Sequence, residues 1–78
     1  MFSFVANLEY RGHLISVSVI YDTQNHYQLT PIIDIRRSEF IEVLNTILTQ
    51  QAFNTVENAT GFGFGLGREW VDERLSPE

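Results

Sequence analysis

The sequence predicts a single α+β domain in which a long helix packs on one face of a small antiparallel sheet. Two neighbouring segments alternate apolar and polar residues around a glycine turn, and a later segment has apolar residues at helical spacing. The 78 residues leave room for one hydrophobic core, and a composition of 44% hydrophobic and 19% charged residues is typical of a folded chain. We therefore treat residues 1–78 as one domain.

The first two strands are predicted to form a hairpin that turns at Arg11-Gly12. A two-residue turn at this position pairs Leu8 with Ile15 and places apolar residues opposite apolar ones along both strands. A register shifted by one residue would place apolar residues opposite polar ones throughout. Gly12 supplies the positive φ that such a turn needs.

A third strand is predicted from Tyr27 to Ile35, after a polar loop of five residues. This loop length would place Leu29 opposite Val19. Pro31 has no N–H to donate to a neighbouring strand, which predicts that this third strand lies at the edge of the sheet. The resulting sheet is a three-stranded antiparallel meander.

The rest of the chain is predicted to contain two helices and a segment with regularly spaced glycines. A long helix over Glu39–Gln51, capped by Ser38, would cover one sheet face with an apolar stripe: Phe40, Ile41, Leu44, Ile47 and Leu48. In Gly61–Gly67, glycine alternates with large apolar residues, which indicates a fourth strand or a loop. A short terminal helix is predicted over Arg68–Leu75.

Composition argues against several classes of function. The net charge of −5 comes from ten acidic residues against five arginines and no lysine, which disfavours general binding to nucleic acid phosphates. The absence of cysteine excludes disulfides, thiolate metal sites and a cysteine nucleophile. His13 and His26 lie at opposite ends of the second strand, so they cannot share a metal ion and both are expected to be solvated. We predict a non-enzymatic protein without cofactor or metal.

The sequence also bears on location. Its longest apolar run is too short to span a bilayer, and the N-terminus lacks the basic flank and apolar core of a signal peptide. We expect a cytoplasmic protein that does not contact a membrane.

Two patches are predicted to contact a protein partner. The first is the sheet face turned away from the predicted helix, with Val5, Ile20 and Ile32 among small polar residues. The second is the terminal segment, where a tryptophan has three acidic neighbours: Trp70, Glu69, Asp72 and Glu73. The favoured function is a protein-binding module that acts as inhibitor or accessory subunit of a larger partner, and a homodimer stays open. In size and acidity the chain resembles inhibitors encoded by phages and mobile elements, including anti-CRISPR proteins.

Two alternative functions rest on shorter patterns. Phe4–Leu8 and Gly61–Phe64 resemble the two signature strands of the RNA-recognition motif, although Thr60 stands where that family has a basic residue. The resemblance implies a single-stranded nucleic-acid binder that stacks bases on Phe62 and Phe64. Separately, Arg36, Arg37 and Ser38 precede the predicted long helix and could bind an anion or small ligand at its N-terminus.

Overall fold

The computed structural model describes residues 2–22 and 28–76, which form one four-stranded antiparallel sheet and one helix. The strands are β1 (Phe2–Tyr10), β2 (His13–Asp22), β3 (Gln28–Arg37) and β4 (Val43–Leu48), in the spatial order β1-β2-β3-β4. The helix α1 (Val56–Leu75) packs on one face of this sheet. The predicted α+β class, the antiparallel meander and the helix on one face are confirmed, but two segments have exchanged their predicted structures.

The predicted hairpin is confirmed, pair by pair. Leu8 lies opposite Ile15, and the register continues without a shift along both strands. The turn residues Arg11 and Gly12 have φ values of 50° and 78°, the positive values that a type I′ turn requires at both positions. The turn therefore closes in the conformation that matches the right-handed twist of the strands.

The predicted register of β3 was wrong by two residues. Leu29 lies opposite Tyr21, and Val19 lies opposite Pro31. The connecting residues 23–27, together with the predicted strand start at Tyr27 and with His26, lie outside the described residues. A shift of two residues keeps every side chain on its predicted face, because side chains alternate along a strand with a period of two. For this reason, Ile33 still faces the helix.

The segment predicted as the long helix contains β4 instead. Ser38 lies in a turn, and Val43–Leu48 pairs with β3, so the helix over Glu39–Gln51 was wrong. β-Branched residues at 43, 46 and 47 favour extended backbone, and a short apolar run fits either periodicity. Leu44 is the extra residue of a bulge, since Asn45 lies opposite Ile35 and Val43 opposite Arg36.

Pro31 does not mark an edge strand, because β3 lies between β2 and β4. The β3–β4 pairing stops at Ile32 and Leu48, and a single bridge between Leu29 and Phe53 follows beyond the gap. Leu29 exchanges two hydrogen bonds of 3.0 and 2.9 Å with Phe53, away from β2. Two residues further on, the nitrogen of Pro31 faces the same side. The proline thus occupies a place where none of the described residues pairs with β3 to receive a hydrogen bond.

The segment Gly61–Gly67 is helical, which corrects the predicted fourth strand. The predicted short helix over Arg68–Leu75 is the C-terminal part of α1. The helix begins after the N-cap Thr55, whose hydroxyl accepts a hydrogen bond from the Asn58 backbone N–H at 3.1 Å. Glycine lowers helix propensity, so packing must stabilise this segment. The fully or nearly fully buried helical positions recur every fourth residue: Ala59, Gly63, Gly67 and Val71.

These small residues let the helix backbone approach the sheet closely. A Cβ at Gly63 would lie 2.8 Å from a Val17 methyl, and one at Gly67 would lie 2.5 Å from Ile15 Cγ2. The core formed by this contact consists of fully or nearly fully buried side chains from three elements: Ile15, Val17, Val19, Leu29, Ile33, Ile35, Ala59 and Val71. The helix therefore covers this face of β2 and β3, which we call the inner face of the sheet.

Candidate partner-binding surface

The outer face of the sheet is covered by no described part of the chain, because α1 packs only on the inner face. One row across this face joins Val5, Ser18, Ile32 and Leu48, one residue from each strand. Val5 is 57% exposed and Leu48 is 73% exposed, whereas the two central residues are half-buried by their neighbours. Ile20 lies in the adjacent row, opposite Thr30.

A polar row borders this first row, which we call the apolar row because Ser18 is its one polar member. The polar row joins Asn7, Ser16, Asp34 and Thr46. The Ser16 hydroxyl donates to Asn7 Oδ1 at 2.7 Å, and the Thr46 hydroxyl donates to Asp34 Oδ1 at 2.7 Å. Apolar side chains beside polar groups are the combination that protein contacts commonly have, with apolar anchors inside a polar rim.

The second predicted patch lies on α1, on the other side of the sheet from the outer face. Trp70 is half-buried and packs against the core, and the Arg74 guanidinium carbon lies 5.5 Å from its ring centroid. Glu69 and Glu73 are exposed. The structure therefore brings Val5, Ile20 and Ile32 together on one surface and keeps Trp70 apart from them.

Asp72, the third acidic residue of that patch, is engaged within the chain. The Tyr10 hydroxyl lies 2.9 and 3.0 Å from its two carboxylate oxygens, and Arg11 Nη1 lies 2.7 Å from Oδ1. We call these three residues the Tyr10–Arg11–Asp72 contact. It fastens the C-terminal half of α1 to the β1–β2 turn, which leaves Asp72 less available to a partner.

The same contact shifts three pKa values. The hydrogen bond from Arg11 lowers the pKa of Asp72 most, and the hydrogen bond from Tyr10 lowers it further. Donating a hydrogen bond to this carboxylate raises the pKa of the Tyr10 phenol, and the hydrogen bond to Asp72, followed by the attraction of its charge, raises the pKa of Arg11. All three shifts favour the protonation states present near neutral pH, in which the contact is complete.

The predicted anion site loses its helix N-terminus, because Ser38 lies in a turn and donates its backbone N–H to the Gly12 carbonyl at 3.1 Å. Arg36 and Arg37 are consecutive residues of β3 and so project to opposite faces of the sheet. The Arg37 guanidinium carbon lies 6.0 Å from the Phe40 ring centroid. The two guanidinium groups therefore do not converge on one ligand.

The aromatic pair of the nucleic-acid alternative is also separated. Phe62 and Phe64 lie on a helix instead of neighbouring strands, and two residues along a helix turn a side chain by about 200°. The Phe62 ring packs against Phe53 with 5.0 Å between centroids. Phe64 lines a groove of about 620 Å³ between α1 and β1, together with Phe4 and Ala6. They do not form the shared stacking surface that the resemblance implied.

His13 is buried instead of solvated, which corrects the expectation for this residue. It is only 6% exposed, and its Nδ1 lies 3.0 Å from the Arg11 carbonyl oxygen. Within residues 2–22 and 28–76, no three His, Cys, Asp or Glu side chains are grouped so that they could hold a metal ion.

Sequence reasoning missed the contribution of β4 and the Tyr10–Arg11–Asp72 contact. β4 adds Val43 and Leu48 to the outer face, and a β-branched segment after a turn was the signal that could have found it. Tyr10 and Asp72 are 62 positions apart, and no local pattern connects them. The N-cap Thr55 followed by small residues at every fourth position could have revealed α1.

Comparison with known proteins gives no relative from which a function could be inferred: no family model, curated protein or solved structure matches this chain. Among the described residues, no helix is sufficiently long and apolar to cross a membrane.

Proposed function

We propose that this protein is a non-enzymatic protein-binding module whose docking surface is the outer face of the sheet. In this proposal it acts as an inhibitor or accessory subunit of a larger protein, of the kind that phages and mobile elements encode. The observation that supports it is the apolar row on a face that the described chain leaves open, with the apolar side chains Val5, Ile32 and Leu48.

The charge of the chain favours a basic protein as the partner. The net charge of −5 attracts a positively charged surface at long range and increases the rate of association. At close range, the apolar row supplies the anchors in which binding energy concentrates, and the polar row forms part of the rim. Binding should therefore weaken with added salt without disappearing.

The test compares two isoleucines that receive the same substitution. Immobilised wild type, Ile32→Lys and Ile41→Lys are used to capture proteins from lysate of the native host, after circular dichroism has shown that all three fold. Ile32 lies in the middle of the outer face, whereas Ile41 is 92% exposed in the loop before β4. We expect a protein retained by wild type and Ile41→Lys but lost with Ile32→Lys.

Two results would contradict the proposal: equal retention of that protein by all three chains, or no protein retained above the bare resin. A titration with single-stranded RNA and DNA at low salt separates the nucleic-acid alternative. We expect no binding tighter than about 100 μM, a level typical of weak non-specific contact. Micromolar binding that Phe64→Ala abolishes would favour the alternative function instead.

A further inference from the structure

The two edges of the sheet differ in how well they are protected. β4 has six residues, contains a bulge at Leu44 and ends beside the gap at Pro31. β1 has nine residues, pairs with β2 without a register shift, and contains neither proline nor lysine and only one charged residue, Glu9. Monomeric proteins usually protect a sheet edge with such interruptions and charges. Within the described residues, no segment pairs with the edge of β1 that faces away from β2.

The hairpin turn determines which backbone groups of β1 point to this open side. In a two-residue hairpin, the pair that flanks the turn, here Tyr10 and His13, exchanges hydrogen bonds. Hydrogen-bonded and non-bonded pairs then alternate, so the even-numbered residues of β1 direct their N–H and C=O groups to β2. The odd-numbered residues direct theirs outward: Ser3, Val5, Asn7 and Glu9.

We propose that the occupant of this edge is a second copy of the chain, which adds its own β1 antiparallel around a two-fold axis at Ala6. In this register Val5 pairs with Asn7 of the second copy and Ser3 with its Glu9. Each residue whose N–H and C=O groups point to the open edge of β1 then pairs with such a residue of the second copy. The two strands form about eight hydrogen bonds, two for each of four pairs. The result is a continuous eight-stranded sheet, an isologous interface.

Side chains and charges in this register are compatible with a copy of the same chain. On the inner side, Phe4, which is 40% exposed, lies opposite Leu8 of the second copy. The only charged residue of the strand, Glu9, faces a serine and not its own symmetry mate.

Charges on α1 favour the same arrangement. Glu57 lines the groove beside Phe4, whereas Arg68 lies one helical turn before Asp72, which contacts Tyr10 at the other end of β1. The two-fold axis brings each Glu57 to the end of the interface where the other copy has Arg68. A strand from a different protein need not carry charges that match this distribution of Glu57 and Arg68.

This dimer is independent of the proposed function, because it uses the edge of β1 and leaves the outer face of both sheets open. Sedimentation equilibrium of the wild type should give a mass that rises with concentration from 9.0 kDa to about twice that value. A mass that stays at 9.0 kDa up to millimolar concentration would overturn the proposal, whatever the capture experiment gives.

A cysteine pair tests the register directly, since the natural chain contains no cysteine. At a non-hydrogen-bonded pair the two Cα atoms are about 4.5 Å apart, within the range that a disulfide bridges. Ala6→Cys should therefore become a covalent dimer under a mild oxidant at least tenfold faster than Ala52→Cys, an exposed loop control. Equal rates for the two variants would contradict pairing at Ala6.

A proline tests the outward hydrogen bonds. Asn7→Pro removes one outward N–H from each copy, whereas Asn7→Ala keeps it and loses the same bond from Ser16. We expect the proline variant to sediment as a monomer and the alanine variant as a dimer. If the proline variant fails to fold, the cysteine rates decide. A folded proline variant that dimerises like wild type would overturn the proposal.

Discussion

The two faces of the sheet are built from alternating residues of the same strands, yet the rest of the chain uses them differently. On the inner face, Val17 and Ile33 have no exposed surface, because the glycines of α1 allow the helix to lie directly on them. On the outer face, Ser18 and Ile32 are half-buried by neighbouring strands alone. The comparison separates two sources of burial: pairing within the sheet gives part of it, and the close helix completes it.

This difference bears on function as well as on stability. An apolar side chain that the helix covers completely contributes its burial to folding. One that is covered only by neighbouring strands keeps exposed surface that a partner can bury. Substitutions on the two faces should therefore differ in their effect on stability. The next three predictions test how the sheet faces and the helix contribute to stability, in order of decreasing effect.

The largest effect is expected from adjacent isoleucines of β3. Ile33→Ala leaves a cavity under the helix and should lower the free energy of unfolding by about 2–5 kcal/mol. Ile32→Ala, on the outer face, should cost about 1 kcal/mol or less, because its side chain keeps contact with water. Urea unfolding measured by circular dichroism compares them. Similar costs would mean that the outer face is as well covered as the inner one.

A smaller effect is expected across the helix itself. Gly67→Ala places a methyl group 2.5 Å from Ile15 Cγ2, and because that side chain is fully buried we expect a net loss of about 1–3 kcal/mol. Gly65→Ala meets no atom within 4 Å and should stabilise the helix by about 0.5–1 kcal/mol. Thermal unfolding of both variants gives the signs. A stabilising Gly67→Ala would show that the helix does not need its close approach.

The smallest effect concerns the Tyr10–Arg11–Asp72 contact at the rim of the covered face. Because the pKa of Asp72 is lowered in the folded chain, its stabilising contribution is present above the ordinary aspartate pKa of about 3.9. That contribution is lost as the pH falls through the lower folded value. The melting temperatures of wild type and Asp72→Asn should thus differ at pH 7 and converge in acid.

The matched control for that experiment is Glu69→Gln, which neutralises an exposed acid of the same helix. Its melting temperature should stay close to that of the wild type at every pH, since solvent screens an exposed charge. A difference at Glu69 as large as that at Asp72 would assign the effect to the net charge of the helix and not to the contact.

Much of the first half of the fold follows from local sequence patterns. Strict alternation and Gly12 determine the β1–β2 register, because any slip by one residue would turn an apolar face to water. The same alternation identified Val5, Ile20 and Ile32 as neighbours on one face. The two-residue error in β3 left those faces intact, since it is a whole period of the strand.

Tertiary structure decided the second half of the chain. Val43–Leu48 carries an apolar pattern that fits a helix, but the open edge of β3 offers hydrogen bonds that only a strand can form. Gly61–Gly67 alternates like a strand, but Gly63 and Gly67 also lie one helical turn apart, where small residues fit against Val17 and Ile15. Each segment has two acceptable local structures, and the free energy of packing against the sheet selects between them.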